Sequence, residues 1–132
     1  MTFRVFHFVL QLMIFLVIDL LWLGVIARDF YNRQLGALRS PQTNWAAASV
    51  FYLLFNVGLM WFAVQPGLDA GGVGTALVRG SVYGLITYST YDLTNLATLR
   101  DWPWKMSLVD ILWGVVLCAS VSVATVGLIG FV

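Results

Sequence analysis

The residues with the most chemistry in this chain lie in the run Tyr88-Ser-Thr-Tyr-Asp-Leu-Thr-Asn-Leu-Ala-Thr98, inside an apolar segment long enough to cross a bilayer. On a helix advancing ~100° per residue, Tyr88, Tyr91, Asp92 and Asn95 fall within about 100° of one another. Ser81 and Gly84 share that stripe. A carboxylate or amide facing lipid is costly, so the stripe must face protein or water. Two further acids, Asp19 and Asp110, sit in other apolar segments. At 1.5 Å per residue, Asp19, Asp92 and Asp110 lie roughly 10, 9 and 6 Å from the same side of the membrane. Ser49 and Tyr52 fall in that layer too. Convergence of the three acids on an interior pocket is the cheapest arrangement.

Acids brought together without a cation either keep some of their protons or recruit a cation. Carboxylate and amide oxygens are hard ligands, so Asp92, Asn95 and Asp110, if they hold a metal, suit Mg²⁺ or Ca²⁺ better than zinc. An organic ammonium group would suit them equally. The sequence requires no cofactor.

A repeated phrase supports convergence. Asp19-Leu-Leu-Trp22-Leu-Gly24 and Asp110-Ile-Leu-Trp113-Gly114 are nearly alike. On antiparallel helices, Asp19 would lie level with Trp113 and Trp22 with Asp110. Each carboxylate could then accept a hydrogen bond from the opposing indole N–H, which is a donor only. The two halves could thus form a weak inverted repeat, although similarity elsewhere is poor and chance competes with that reading.

The elements that must position these residues are four apolar segments, at about 5–26, 45–64, 75–98 and 106–131. Of the 132 residues, 61% are hydrophobic and 10% charged, against roughly 25% charged in a soluble domain. The expected fold is all-α, an integral-membrane four-helix bundle with antiparallel neighbours in a single domain. The first segment is too long and too aromatic for a signal peptide. The polar stretch Arg28-Asp-Phe-Tyr-Asn-Arg continues the first helix briefly before Gly36 ends it, and its apolar residues suggest that it lies along the membrane surface. Ser40-Pro41 or Thr43/Asn44 are plausible helix starts, and Gln65-Pro66-Gly67 should stop the second helix. Gly71-Gly72-Val73-Gly74 lacks the lysine and preceding strand of a phosphate loop and reads as a turn. Gly80-x-x-x-Gly84 should let a neighbouring helix approach closely. Trp45, Trp102 and Trp104 read as interfacial anchors.

Inventory excludes several functions. Glutamate is absent and there is one histidine and one cysteine, so haem pairs, di-iron carboxylate sites, internal disulfides and H-E-x-x-H proteases drop out. A net charge of +1 without a dense basic cluster points to no nucleic-acid partner. Arg28, Arg33, Arg39, Arg100 and Lys105 fall in the first and third connections, against Arg4 and Arg79 on the other side. The positive-inside rule then puts those two connections in the cytoplasm and both termini in the periplasm.

Together, the Asp19 and Asp110 phrases, Arg28-Asp-Phe-Tyr31, Tyr88-x-x-Tyr-Asp-Leu-Thr-Asn-Leu-Ala-Thr98 and Trp102-Pro103 resemble a family of small bacterial predicted membrane proteins known as a domain of unknown function. The resemblance spans nearly the whole chain. It implies a four-span bacterial inner-membrane protein and brings no activity or ligand with it.

The candidate ligand-binding or proton-exchange residues are therefore Asp19, Trp22, Tyr52, Tyr88, Tyr91, Asp92, Asn95, Asp110 and Trp113. The leading expectation is binding or transport of a small polar, cationic or amphiphilic ligand, with proton exchange on the aspartates. An accessory subunit of a membrane lipid-modifying enzyme is one alternative. A membrane enzyme using Asp92 or Asp110 as acid or base is another, but no persuasive nucleophile or catalytic residue accompanies them. The lipid bilayer is the expected partner, with a homodimer or a membrane enzyme beside it.

Overall fold

The computed structural model describes residues 4–130, and no strand occurs among them. Helix α1 (Val5–Leu21) continues through a turn of π-helix at Trp22–Ile26, and a short helix α2 (Arg28–Leu35) follows. Helix α3 (Trp45–Leu59) also runs into a π turn, Met60–Val64. Helices α4 (Gly72–Thr98) and α5 (Trp104–Gly130) complete the chain. Phe131, the expected end of the last helix, lies outside the described residues.

By length and apolarity these elements make three continuous runs able to cross a membrane, 5–26, 45–98 and 104–130. The middle run of 54 residues is a hairpin of two helices. Tyr83 Oη donates to the Phe55 carbonyl at 2.8 Å, and Arg79 donates to the Phe62 carbonyl at 3.4 Å. Partners that draw closer in sequence toward residue 70 require antiparallel strands of helix. The bundle is therefore the expected four-helix one, although two of its helices are joined by helical turns.

That junction corrects one expectation. Gln65-Pro66-Gly67 does not stop the helix, because Pro66 falls between two π turns, Met60–Val64 and Gly67–Gly71. The wider π turn accommodates a residue without an amide hydrogen. The chain reverses instead at Gly72, where φ is +66° and ψ −163°, a region that only glycine enters readily.

The α4–α5 pair is the most extensive helix contact, and α1 packs across α5. The two glycines expected to permit close approach do so. A Cβ on Gly80 would lie 2.7 Å from the Cys118 carbonyl oxygen, and one on Gly84 would run into the Gly114 backbone. Between α1 and α3, fully buried Gln11 donates to both the carbonyl and the Oδ1 of buried Asn56, each at 2.9 Å. An amide pair at this depth fixes the register of the two helices, because either partner alone would be unsatisfied in hydrocarbon. Of the plausible starts it is Asn44 that caps α3, its Oδ1 accepting from the Ala47 amide at 3.1 Å.

Trp45 and Trp104 are exposed, at 71% and 60%, as interfacial anchors should be. Trp102 differs. Its indole donates to Ser107 Oγ at 2.9 Å and its ring packs beside Ala27, Tyr31 and Met106. It holds the start of α5 against the bundle.

Candidate functional site

Asp19 is buried on α1 and joins three helices. Its Oδ1 accepts from the Trp113 indole of α5 at 3.1 Å, and its Oδ2 accepts from the Tyr52 hydroxyl of α3 at 3.2 Å. The Asp19–Trp113 bond is the one that the repeated phrase predicts. Neither oxygen lacks a donor, so the carboxyl group is fixed in orientation.

The mirror-image bond does not form. Trp22 Nε1 donates to the Tyr31 hydroxyl at 3.1 Å, and Tyr31 in turn donates to Asp110 Oδ1 at 2.8 Å. Trp22 therefore reaches Asp110 through a relay. Its ring stacks on Trp113 at 4.4 Å with 9° between planes, while its indole N–H is taken by Tyr31 of α2. Tyr31 is the residue that sequence reasoning misses. Nine positions separate it from Trp22, which on an unbroken helix would set the two on opposite faces. The break at Ala27, with φ −109° and ψ 8°, turns α2 back against the bundle and buries Tyr31. Helix α2 is thus anchored in the core rather than only lying on the surface.

Burial, with the Asp110 carboxyl beside it, pushes the Tyr31 phenol well above its ordinary value, so it stays a donor. Tyr31→Phe should leave the Trp22 indole and Asp110 Oδ1 unpaired and cost about 2 kcal/mol, read from thermal unfolding in detergent. The sign of the pH effect follows. An unfolded tyrosine ionises near pH ~10, so the stability contributed by Tyr31 is complete below that pH and is lost as the pH rises toward the folded value. The variant should lose this alkaline dependence.

Asp92 is fully buried on α4, and no hydrogen-bond donor reaches either of its carboxyl oxygens. Its neighbour is the Asp110 carboxyl group, within hydrogen-bonding reach. The Ser107 hydroxyl bonds only the Asp92 main-chain carbonyl, at 3.1 Å. Two acids in contact can form a hydrogen bond only if a proton lies between them. Asp110 is thus the acid nearest in charge to both of the others, to Asp92 and to Asp19. The three do not form a cage. Among the described residues no group of three His, Cys, Asp or Glu side chains is placed to hold a metal ion. Asn95 instead lies within hydrogen-bonding reach of the Tyr91 hydroxyl on its own helix.

Asp19 and Asp110 line a cleft of about 410 Å³. Tyr52, Tyr88, Tyr91 and Trp113 also line it, so six of the nine sequence-predicted residues share one cavity. Asp92, Asn95 and Trp22 do not line it. The cleft exists because α3 meets α4 chiefly through Met60–Val64 and stands apart from it toward Trp45. Ala48, Phe51 and Phe55 of α3 form one wall of the gap, and Thr87 the other wall with the tyrosines of α4. These apolar walls carry no polar signal that periodicity alone could select. Tyr88 is seated with its ring against Gly114, where no side chain would fit, and edge-on to Phe55 at 5.9 Å. Tyr91 lies at the rim, 58% exposed, with its ring edge-on to Trp102.

No curated protein and no solved structure matches this chain. A family described as a predicted membrane protein, DUF2177, matches residues 4–127, and with nearly the whole chain covered the protein belongs to that family.

Proposed function

We propose that this is a bacterial inner-membrane protein that binds an amphiphile with a cationic head in the cleft between α3 and α4. The observation that carries this reading is the lining of the cleft: two carboxyl groups among aromatic and aliphatic side chains. Phe51 and Tyr91, both exposed, flank the gap on a surface otherwise made for hydrocarbon. A ligand entering sideways from lipid would keep its chain among Phe51, Phe55 and Tyr88. Its ammonium group would meet Asp110 and Asp19, with the Trp113 ring alongside.

Asp92 makes the site proton-coupled. No donor reaches either carboxyl oxygen of Asp92, and a proton shared between it and the neighbouring Asp110 carboxyl is what an incoming ammonium group displaces. The first and third connections carry the basic excess and lie in the cytoplasm, with both termini in the periplasm. The cleft then opens in the cytoplasmic half of the bilayer.

Native mass spectrometry of the protein released from membranes in mild detergent tests this reading, because bound lipid, metal and oligomer are read together. Incubated with a long-chain amine, the wild type should carry one amine adduct that Asp19→Asn/Asp110→Asn loses, and affinity for that amine should fall as the pH is lowered. An adduct equally retained by the double variant would refute the assignment of the cleft. Affinity independent of pH would remove the proton from the mechanism.

A further inference from the structure

A second cleft, of about 430 Å³, lies where the chain leaves the first span, and we infer that it binds a phosphate group through Arg28 and Arg39. Arg28 opens α2 and Arg39 follows it by 11 residues. They reach one cavity because Gly36, at φ +50°, ends α2 and the 3₁₀ turn Gly36–Leu38 redirects the chain. Asn32 of α2 adds an amide to the same wall. Among the described residues no carboxylate or carbonyl engages either guanidinium, and Asp29 is not part of the lining. Two unpaired arginines converging on one cavity are an anion site in need of an anion. Their planar forks match the oxygens of a phosphate, which can take two parallel N–H bonds from each.

The floor of the cavity indicates the source of that phosphate. Leu23, Gly24 and Leu35 are apolar, and a Cβ built on Gly24 meets nothing within 4 Å. A free phosphate ion has no use for such a floor, whereas the glycerol and first methylenes of a phospholipid do. Val25 and Ile26, each 71% exposed, mark the end of the hydrocarbon-facing helix, so Arg28 stands at the level of lipid headgroups. Tyr31 also borders the cavity, but its hydroxyl proton is committed to Asp110. The site is thus separate from the acidic cleft, with Leu23 lining both.

The test uses the full-length protein in detergent and three probes: dihexanoyl phosphatidylglycerol, dihexanoylglycerol and inorganic phosphate. Calorimetric titration should show the phospholipid bound at least about tenfold more tightly than the glyceride that lacks phosphate. Arg28→Gln/Arg39→Gln should abolish that difference while helical content and amine binding in the acidic cleft stay unchanged. Gly24→Leu fills the floor without touching the arginines, and should weaken the phospholipid but not inorganic phosphate. Inorganic phosphate binding as tightly as the phospholipid would keep the phosphate site and assign it to the free ion. Equal affinity for phospholipid and glyceride, or full phospholipid binding by the double arginine variant, would overturn the inference.

Discussion

Gly84→Val should cost about 3 kcal/mol of stability, the upper end of what overpacking a close contact produces. The added Cβ would meet the Gly114 backbone, which cannot turn aside as a flexible side chain can. Relief requires α4 and α5 to separate, and theirs is the largest helix interface in the protein. Separation would also withdraw Tyr88 from its seat on Gly114 and Asp92 from Asp110. Gly74→Ala is the matched control on the same helix, since a Cβ there meets nothing within 4 Å. It should be neutral or stabilise slightly, as glycine is a poor helix former. Far-UV circular dichroism during denaturation of the two variants in detergent reads both effects.

Asp19→Leu should cost about 3 kcal/mol, and Asp19→Asn less than half of that. Leucine removes the acceptor for the Trp113 indole and the Tyr52 hydroxyl together, leaving two donors unpaired where water is scarce. Asparagine retains one acceptor oxygen and can keep the indole bond. Because α1, α3 and α5 all meet at this carboxyl group, the leucine variant should also loosen the Trp22–Trp113 stack. Tryptophan emission should shift to longer wavelength in Asp19→Leu and stay close to wild type in Asp19→Asn. Equal losses in the two variants would show that the acceptor oxygen retained by asparagine contributes nothing.

Much of this arrangement is legible in the residues. Hydrocarbon intolerance of charge points Asp19 and Asp110 toward the interior, where they line one cleft, and the shared Asp-x-x-Trp phrase anticipates the Asp19–Trp113 bond. The Gly80 and Gly84 contacts follow from the absence of a side chain. What is not legible depends on departures from regular helix. Trp22 and Tyr31 meet only because the backbone breaks at Ala27, a residue type that does not announce a break. Pro66 marks a stop that two π turns bypass. Asn95 shares the stripe of Tyr88 and Asp92 yet turns toward Tyr91, because four residues on a helix bring their own side chains together before any partner helix intervenes. The cleft itself arises from the divergence of α3 from α4, a tertiary feature that leaves no periodic trace.

The account turns on whether the two acids facing the cleft attract a positive head on an apolar tail. Binding of dodecylamine and dodecanol to the protein in lipid nanodiscs, corrected for partition into empty discs and followed by tryptophan fluorescence, compares ligands that differ only at that head. The amine should bind at least about tenfold more tightly, the equivalent of one charge-assisted hydrogen bond, and Asp19→Asn/Asp110→Asn should erase the preference. Indistinguishable affinities for the two ligands in the wild type would contradict it.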